Sequence, residues 1–527
     1  MKLHTCVRPG GRFAFSIHKP SFKVTNLREN DEITELGSCA EQPVFNNRNF
    51  PANDVDVGKS DWVYEIANPF SFKGTTFINS AWADRQATQP LAISLPDMPP
   101  VSMADSLRHC VDDDDIDEIF RALPEPVLLS LATTSTDPED LIRLARMAAS
   151  LIITDSGEVS GLHYEQLNSH SRPIIHSHDL YEAVANNPHL PDDYKQAMVL
   201  RPGAQGGSEI VGEFRTNGSH VYEYLRRNSY IPWGHYAANM ANDAVRYSLE
   251  QLCLDDMIGM RHLYYQRTYE RLAADLGLSG FHGRRKATAD ELEDVRQQIV
   301  NAMEDGREPS FTATLWGWNY GFDFAPSGYR LNASHQMLHQ QFALIPAALA
   351  ESSEPQKSFA CGDLVAAFCE QYRKETANPF FNDYLAAIRA NTRVDHGQGE
   401  SSLIIYEDDH VMVFVPKAQT SQWEVQIMTT AEVGNIIELS TEARHSLDTA
   451  FYLAVKALHG IGVKLMSTIE YSKRFKNTDQ DQRLLYALLP KLPNSPGAFS
   501  ESQLRWINGH FPEDLATALR AQLPPCK

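Results

Sequence analysis

The chain has 527 residues, 43% hydrophobic and 22% charged, the balance of a globular protein with apolar surface for about two to four domains. A formal net charge of −21 argues against a nucleic-acid backbone or an anionic membrane as main partner, but allows a phosphorylated small molecule at a locally basic or amide-rich site. There is no run of about 18 apolar residues to span a bilayer, and no apolar core of a secretory signal near the start. The seven cysteines are odd in number, scattered and without a C-x-x-C pair, so reduced cytoplasmic thiols are expected, with neither a disulfide framework nor a zinc knuckle.

In chain order, residues 1 to about 160 alternate short strand-like pieces ("WVYEIANPFSFKGTTFINSAW") with Pro-rich and Asp-rich connectors. The run "DDDDIDEIF" from Asp112 opens a helix, where carboxylates suit the N-terminal dipole; it lacks the Gly-containing turn of a calcium loop. "STDPEDLIRLARMAASLII" reads as an amphipathic helix with Ser, Thr and Asp caps. "HSRPIIHSHD" gathers His170, His176, His178 and Asp179, metal-ligating by type but also an ordinary solvated loop. "RPGAQGGSE", Arg201 to Glu209, has no Lys-Ser/Thr pair and no following helix, so it is a hairpin turn rather than a phosphate loop.

"HVYEYLRRNSYIPWGHYAANMA" then gives strand, turn and strand. Cys253 has no partner base in view and reads as a buried thiol. The helix "DDMIGMRHLYYQRTYERLAADLG" follows, with Met257, Met260, Tyr264, Thr268 and Leu272 on one stripe. A basic patch from Arg284 to Lys286 reads as a solvated loop, and "FTATLWGWNYG" as a strand. After a helical connector (about 358 to 390), "HVMVFVPKAQTSQWEVQIMT" alternates: Val411, Val413 and Val415 share a face, as do Trp423, Val425 and Ile427. The helix "STEARHSLDTAFYLAVKALHGIG" closes this second strand–turn–strand–helix–strand set, so residues of about 195–350 and 401–495 read as a divergent internal duplication.

The stretch "LNASHQMLHQQFALIP", Leu331 to Pro346, carries the chemistry. As a helix it sets His335 and His339 at i, i+4 like a zinc protease, but Gln336 stands where the general base belongs and cannot take a proton at neutral pH. As a strand it projects His335, Met337, His339 and Gln341 to one face. An imidazole there can attack phosphorus, with the amide beside it to bond a phosphoryl oxygen; a plain core-edge strand is the alternative.

"NASHQMLHQQ" resembles the active-site strand of the histidine triad superfamily, in the duplicated branch of galactose-1-phosphate uridylyltransferase, dinucleoside tetraphosphate phosphorylase and the NDP-hexose phosphorylases. Against its motif G/N-x-S-x-x-H-x-H-x-Q, Ser334 takes the serine, Met337 the first histidine, His339 the nucleophile and Gln341 the glutamine. "WNYG" is similar to the N-x-G before the active-site loop, at Asn319 and Gly321, and "RRNSYIPWGHYAANMA" to the N-x-[FY]-P…GH hairpin, with Asn228 at the ribose. "VFVPKAQTSQWEVQIM" and the tail "LLYALLPKLPNSPGAFSESQLRWINGHFPEDLATALR" resemble the second copy, so the likeness runs from 195 to 527.

The resemblance implies an α+β fold of duplicated antiparallel sheet units packed with helices. It would comprise a mixed α/β N-terminal region of unknown role (1–190), a first unit with the active-site strand (191–350), a helical connector (351–400) and a second unit without a catalytic histidine (401–527). It implies a nucleotidyltransferase or phosphorylase, with His339 and Gln341 catalytic and Ser334, Asn319, Gly321, Asn228 and His335 contacting substrate. The substrates would be a nucleotide sugar or dinucleotide plus a sugar phosphate or orthophosphate, and the assembly a homodimer. Two departures bear on this. Met337 stands at a position that ligates structural zinc in some relatives, so that zinc is expected to be absent and no cofactor is implied. "QRLLYALLP", the strand equivalent in the second copy, has no histidine. A hydrolase passing the same intermediate to water, or a non-catalytic nucleotide-binding or interaction protein, are the alternatives.

Overall fold

The structure is a computed structural model that describes residues 3–18, 35–39, 42–45, 63–95, 100–167, 170–185, 187, 189–198, 249–250, 252–281, 286–321, 339–349, 356–476, 481–492 and 502–524. The expectations for Asn228, Ser334, His335, Met337, the turn at 201–209, the 220–241 hairpin and Arg284 lie outside the described residues.

Three early strands, β1 (Ser16–His18), β2 (Val63–Ala67) and β3 (Thr75–Asn79), form an antiparallel ladder. Helices Met103–Arg108, Asp113–Ala122, Glu125–Thr134 and Pro138–Ala148 follow, then two short hairpins and helices His178–Ala185 and Asp192–Met198. The acidic run after Asp112 does open a helix, and the helix after Asp137 buries Leu141, Leu144, Ala145 and Ala148 as its pattern requires. Next come α1 (Leu254–Asp275) and α2 (Ala289–Glu304), the latter started by a Thr288–Glu291 capping box. Every member of the α1 stripe is buried.

Strands β4 (Phe311–Gly321) and β5 (His339–Pro346) precede α3 (Cys361–Thr376) and α4 (Phe380–Arg389), which are the expected helical connector. The second half supplies β6 (Ile404–Glu407), β7 (Val411–Phe414), β8 (Val425–Thr429), α5 (Thr441–Gly460), β9 (Leu465–Tyr471) and β10 (Leu485–Pro490), then β11 (Arg505–Asn508) and α6 (Pro512–Arg520). Ser440 starts α5 by accepting from the Ala443 N–H.

The main sheet has seven strands in the order β5–β4–β9–β10–β8–β7–β6, and every neighbouring pair is antiparallel. With helices packed on such sheets, the fold is α+β. The two sequence halves meet inside this one sheet, because β4 from the first lies against β9 from the second. Residue alternation divides the sheet into two cores. Trp316, Trp318, Val411, Val413, Val425, Ile427, Tyr486 and Leu488 face α1 and α5, in a cluster continuous with the helices of residues 103–198. Met412, Phe414, Met428 and Leu485 face α3, α4 and the early strands.

Residues 3–198 therefore serve two places. The early part closes a four-stranded sheet in the order β11–β3–β2–β1, in which β11 runs parallel to β3. It also grips the loop between β7 and β8: Asn68 Nδ2 donates to the Ala418 carbonyl at 2.9 Å and Thr76 Oγ1 to that of Gln419 at 2.7 Å. Asn508 Nδ2 reaches the same Gln419 carbonyl at 3.1 Å.

Candidate functional site

Strand β5 runs along the edge of the main sheet, extended from His339 onward, as a phosphoryl-transfer reading of the stretch requires. Its register is fixed from the helix side. Gln340 accepts from Trp316 Nε1 at 3.0 Å and donates to the Met260 carbonyl of α1 at 3.4 Å. Trp316 is itself wedged among Tyr264, Phe451 and Tyr486. With Gln340 committed to that core, Gln341 alternates to the opposite face.

The pairing then assembles two rows across three strands. His339 is opposite Asn319, which is opposite Ser467; Gln341 is opposite Gly317, which is opposite Ile469. Directly opposed residues in an antiparallel ladder lie about 4.5–5.5 Å apart at Cα, so each three-strand row spans about 10 Å. Ser467 Oγ donates to Asn319 Oδ1 at 2.7 Å. Among the described residues this face is uncovered over β4 and β5: Leu315 is 39% exposed, and Gln341 and Ala343 are exposed. The rows offer amide and hydroxyl groups on a solvent-accessible face, suited to bonding anionic oxygens.

Gly321 ends β4 with φ +95°, and a Cβ there would lie 2.0 Å from the Lys464 carbonyl oxygen. The residue expected to contact substrate thus has a backbone reason to be glycine: the left-handed turn and the close approach of the chain before β9. Gly321→Ala should lower stability by more than about 1 kcal/mol, read as a drop in the thermal midpoint of the full chain. An unchanged midpoint would show that the turn relaxes.

Beneath the rows, on the helix side, lies a charged network that the sequence reading missed. Arg261 of α1 is fully buried, with Nε 2.9 Å from Asp448 Oδ1 of α5. It also donates to the Tyr265 hydroxyl at 2.6 Å and to that of Tyr486 at 3.3 Å. The Tyr486 hydroxyl passes the chain to Glu470 Oε2 at 2.8 Å, and Glu470 Oε1 accepts from Tyr264 at 3.0 Å and Thr314 at 2.9 Å. The guanidinium lies over the Phe451 ring at 4.5 Å. Burial outweighs the pull of Arg261 and pushes the Asp448 carboxyl up to about 7; burial likewise raises Glu470 against its four hydrogen-bonding and charged neighbours. The signal was present: Arg261 falls between Met257 and Tyr264 on an otherwise apolar stripe, where a charge needs a buried partner.

His176 shares a hydrogen bond with Ser150 at 3.1 Å, and no group of three or more potential metal ligands comes together among the described residues. Burial and then its bond to the Asp256 carboxylate push the Cys253 thiol up to about 11, away from nucleophilic use. A cleft between α1, α2 and α5, on the helix side of the sheet, is lined by Ile258, His262, Leu292, Arg444 and His445. Burial brings His262 down to about 4, so it is neutral there. No described helix is long and apolar enough to cross a membrane.

No family model matches the chain, and no curated protein matches it. Among solved structures, a galT-like protein of Arabidopsis thaliana is similar at 15% identity and a TM-score of 0.31, over 45% of this chain and 68% of that one. An ADP-glucose phosphorylase of Arabidopsis thaliana is similar at 15% identity and 0.32, over 44% and 65%. A uridylyltransferase is similar at 15% and 0.32, over 46% and 70%. The chain spans about two thirds of the length of each. Each of these likenesses extends over less than half of this chain's own length.

Proposed function

We propose that the chain is a nucleotidyltransferase or phosphorylase that acts on a nucleoside-diphosphate sugar or a dinucleoside polyphosphate through a nucleotidyl-histidine. The observation that supports the reading is the register row His339–Asn319–Ser467 beside Gln341, which is exposed. A nitrogen lone pair of the His339 imidazole attacks the α-phosphorus; a P–N bond forms, the P–O bond to the remainder breaks, and that phosphorylated remainder leaves with the bonding pair. Gln341, Asn319 and, from the motif, Ser334 supply hydrogen-bond donors to the phosphoryl oxygens as negative charge concentrates there. Asn228 is assigned to the ribose and His335 to substrate on the same motif. A sugar phosphate or orthophosphate oxygen then attacks the phosphorus from the side the leaving group vacated, and the imidazole recovers its lone pair. Two in-line displacements replace one between two anions, and no metal is needed to balance either. A homodimer belongs to the same proposal.

The test is intact-protein mass after mixing with a panel of nucleoside-diphosphate sugars and dinucleoside polyphosphates, kept mildly alkaline because phosphoramidates are acid-labile. A mass gain of one nucleoside monophosphate supports the reading, and its value identifies the base. Release by water alone, without an acceptor, would make the chain a hydrolase. Bound nucleotide with no adduct from any donor would make it a binding protein.

A further inference from the structure

We infer that Ser467, contributed by the second half of the chain, is a positioning residue for the phosphoryl-transfer site: its hydroxyl sets which edge of the Asn319 amide faces the reacting phosphorus. The inference rests on the proposed function, and the register carries it. Asn319 is flanked by His339 of β5 on one side and by Ser467 of β9 on the other. A side-chain amide is planar, and its oxygen and nitrogen diverge from one carbon. Ser467 Oγ donates to Asn319 Oδ1 at 2.7 Å, so the oxygen is turned toward β9 and the NH2 edge away from that strand.

The two edges differ in sign. The NH2 donates, as a phosphoryl oxygen requires; the carbonyl oxygen only accepts, and against the same oxygen it would repel. An amide free to turn over would offer the wrong edge part of the time. The Ser467 hydroxyl can donate to the carbonyl, and that bond holds the amide in one sense before substrate arrives, so no reorganisation is needed as charge develops. The helix side braces the two strands that carry the pair: Thr314 of β4 and Tyr486 of β10 both bond Glu470 of β9. The second half of the duplication lacks a nucleophile, yet through β9 it supplies the group that aims a donor in the first.

The pair Ser467→Thr and Ser467→Val isolates the hydroxyl, since the two side chains have nearly one shape and both suit a strand. The rate of nucleotidyl-adduct formation is followed by rapid quench and intact mass, in the full chain and again on an Asn319→Ala background. We expect Ser467→Thr to stay within about threefold of the parent and Ser467→Val to slow adduct formation about 10- to 100-fold at unchanged donor KM. On Asn319→Ala the two should react alike, because the amide they act through is gone. Equal rates for Thr and Val in the parent, or a Val deficit that persists without Asn319, would overturn the role of Ser467 while leaving the transferase reading intact. A parent chain that forms no adduct overturns both.

Discussion

His339→Ala is expected to abolish the nucleotidyl adduct and to lower transfer by about 10³-fold or more, with little change in thermal midpoint. The size follows from what is removed. Without the imidazole, the acceptor must displace the leaving group directly, and two anionic reactants must meet at one phosphorus. The small effect on stability follows from position. β5 is an edge strand, and Gln340 on Trp316 and Met260 holds its register. Steady-state turnover and calorimetry on the two proteins measure both halves. Transfer within tenfold of the parent would remove His339 from the chemistry.

The second large effect is on folding. Arg261→Met should cost about 3–5 kcal/mol, because it leaves the buried Asp448 and Glu470 carboxyls without their cation. Chemical denaturation of the full chain reads this, and a loss below about 1 kcal/mol would show that the carboxyls simply take up protons. The same network gives a pH dependence of known sign. Asp448 titrates near about 3.9 when unfolded and at about 7 when folded. Between those values the native state holds a proton that the unfolded state has released, so stability is fullest below the lower value and falls as pH rises toward the upper one. Glu470, also raised, acts in the same direction. Asp448→Asn removes its share of that slope. The parent's midpoint should fall from pH 5 to 7.5 by more than the variant's, and parallel curves would show that Asp448 does not titrate there.

Local pattern was readable, and pairing was not. Val411, Val413 and Val415 announced a buried strand and the α1 stripe announced its helix, while the extended form of His339 onward was one of two forms the stretch allowed. Asn319 was found because a motif resemblance marked it. Ser467 carries no local mark: it joins the site only because β9 pairs with β4, and 148 residues separate the two side chains. The N-terminal stretch was opaque for the same reason. "WVYEIANPFSFKGTTFINSAW" does form a hairpin, yet nothing within it specifies a parallel partner at 505–508. Arg261 was passed over because a stripe counted by its apolar members hides the charge buried among them.

That parallel pairing of β3 with β11 also sets a timetable for synthesis. Trp506, whose Nε1 bonds the Lys73 carbonyl, follows Lys73 by 433 residues. At about 5–20 residues per second, a ribosome needs about 20 to 90 seconds to bridge them. Throughout that interval the β2–β3 hairpin waits with one ladder edge bare, and β3, with the sequence TTFIN, is apolar enough to recruit other strands. Nascent chains arrested before residue 505 are therefore expected to leave this edge open, and its protection should appear only once β11 has emerged.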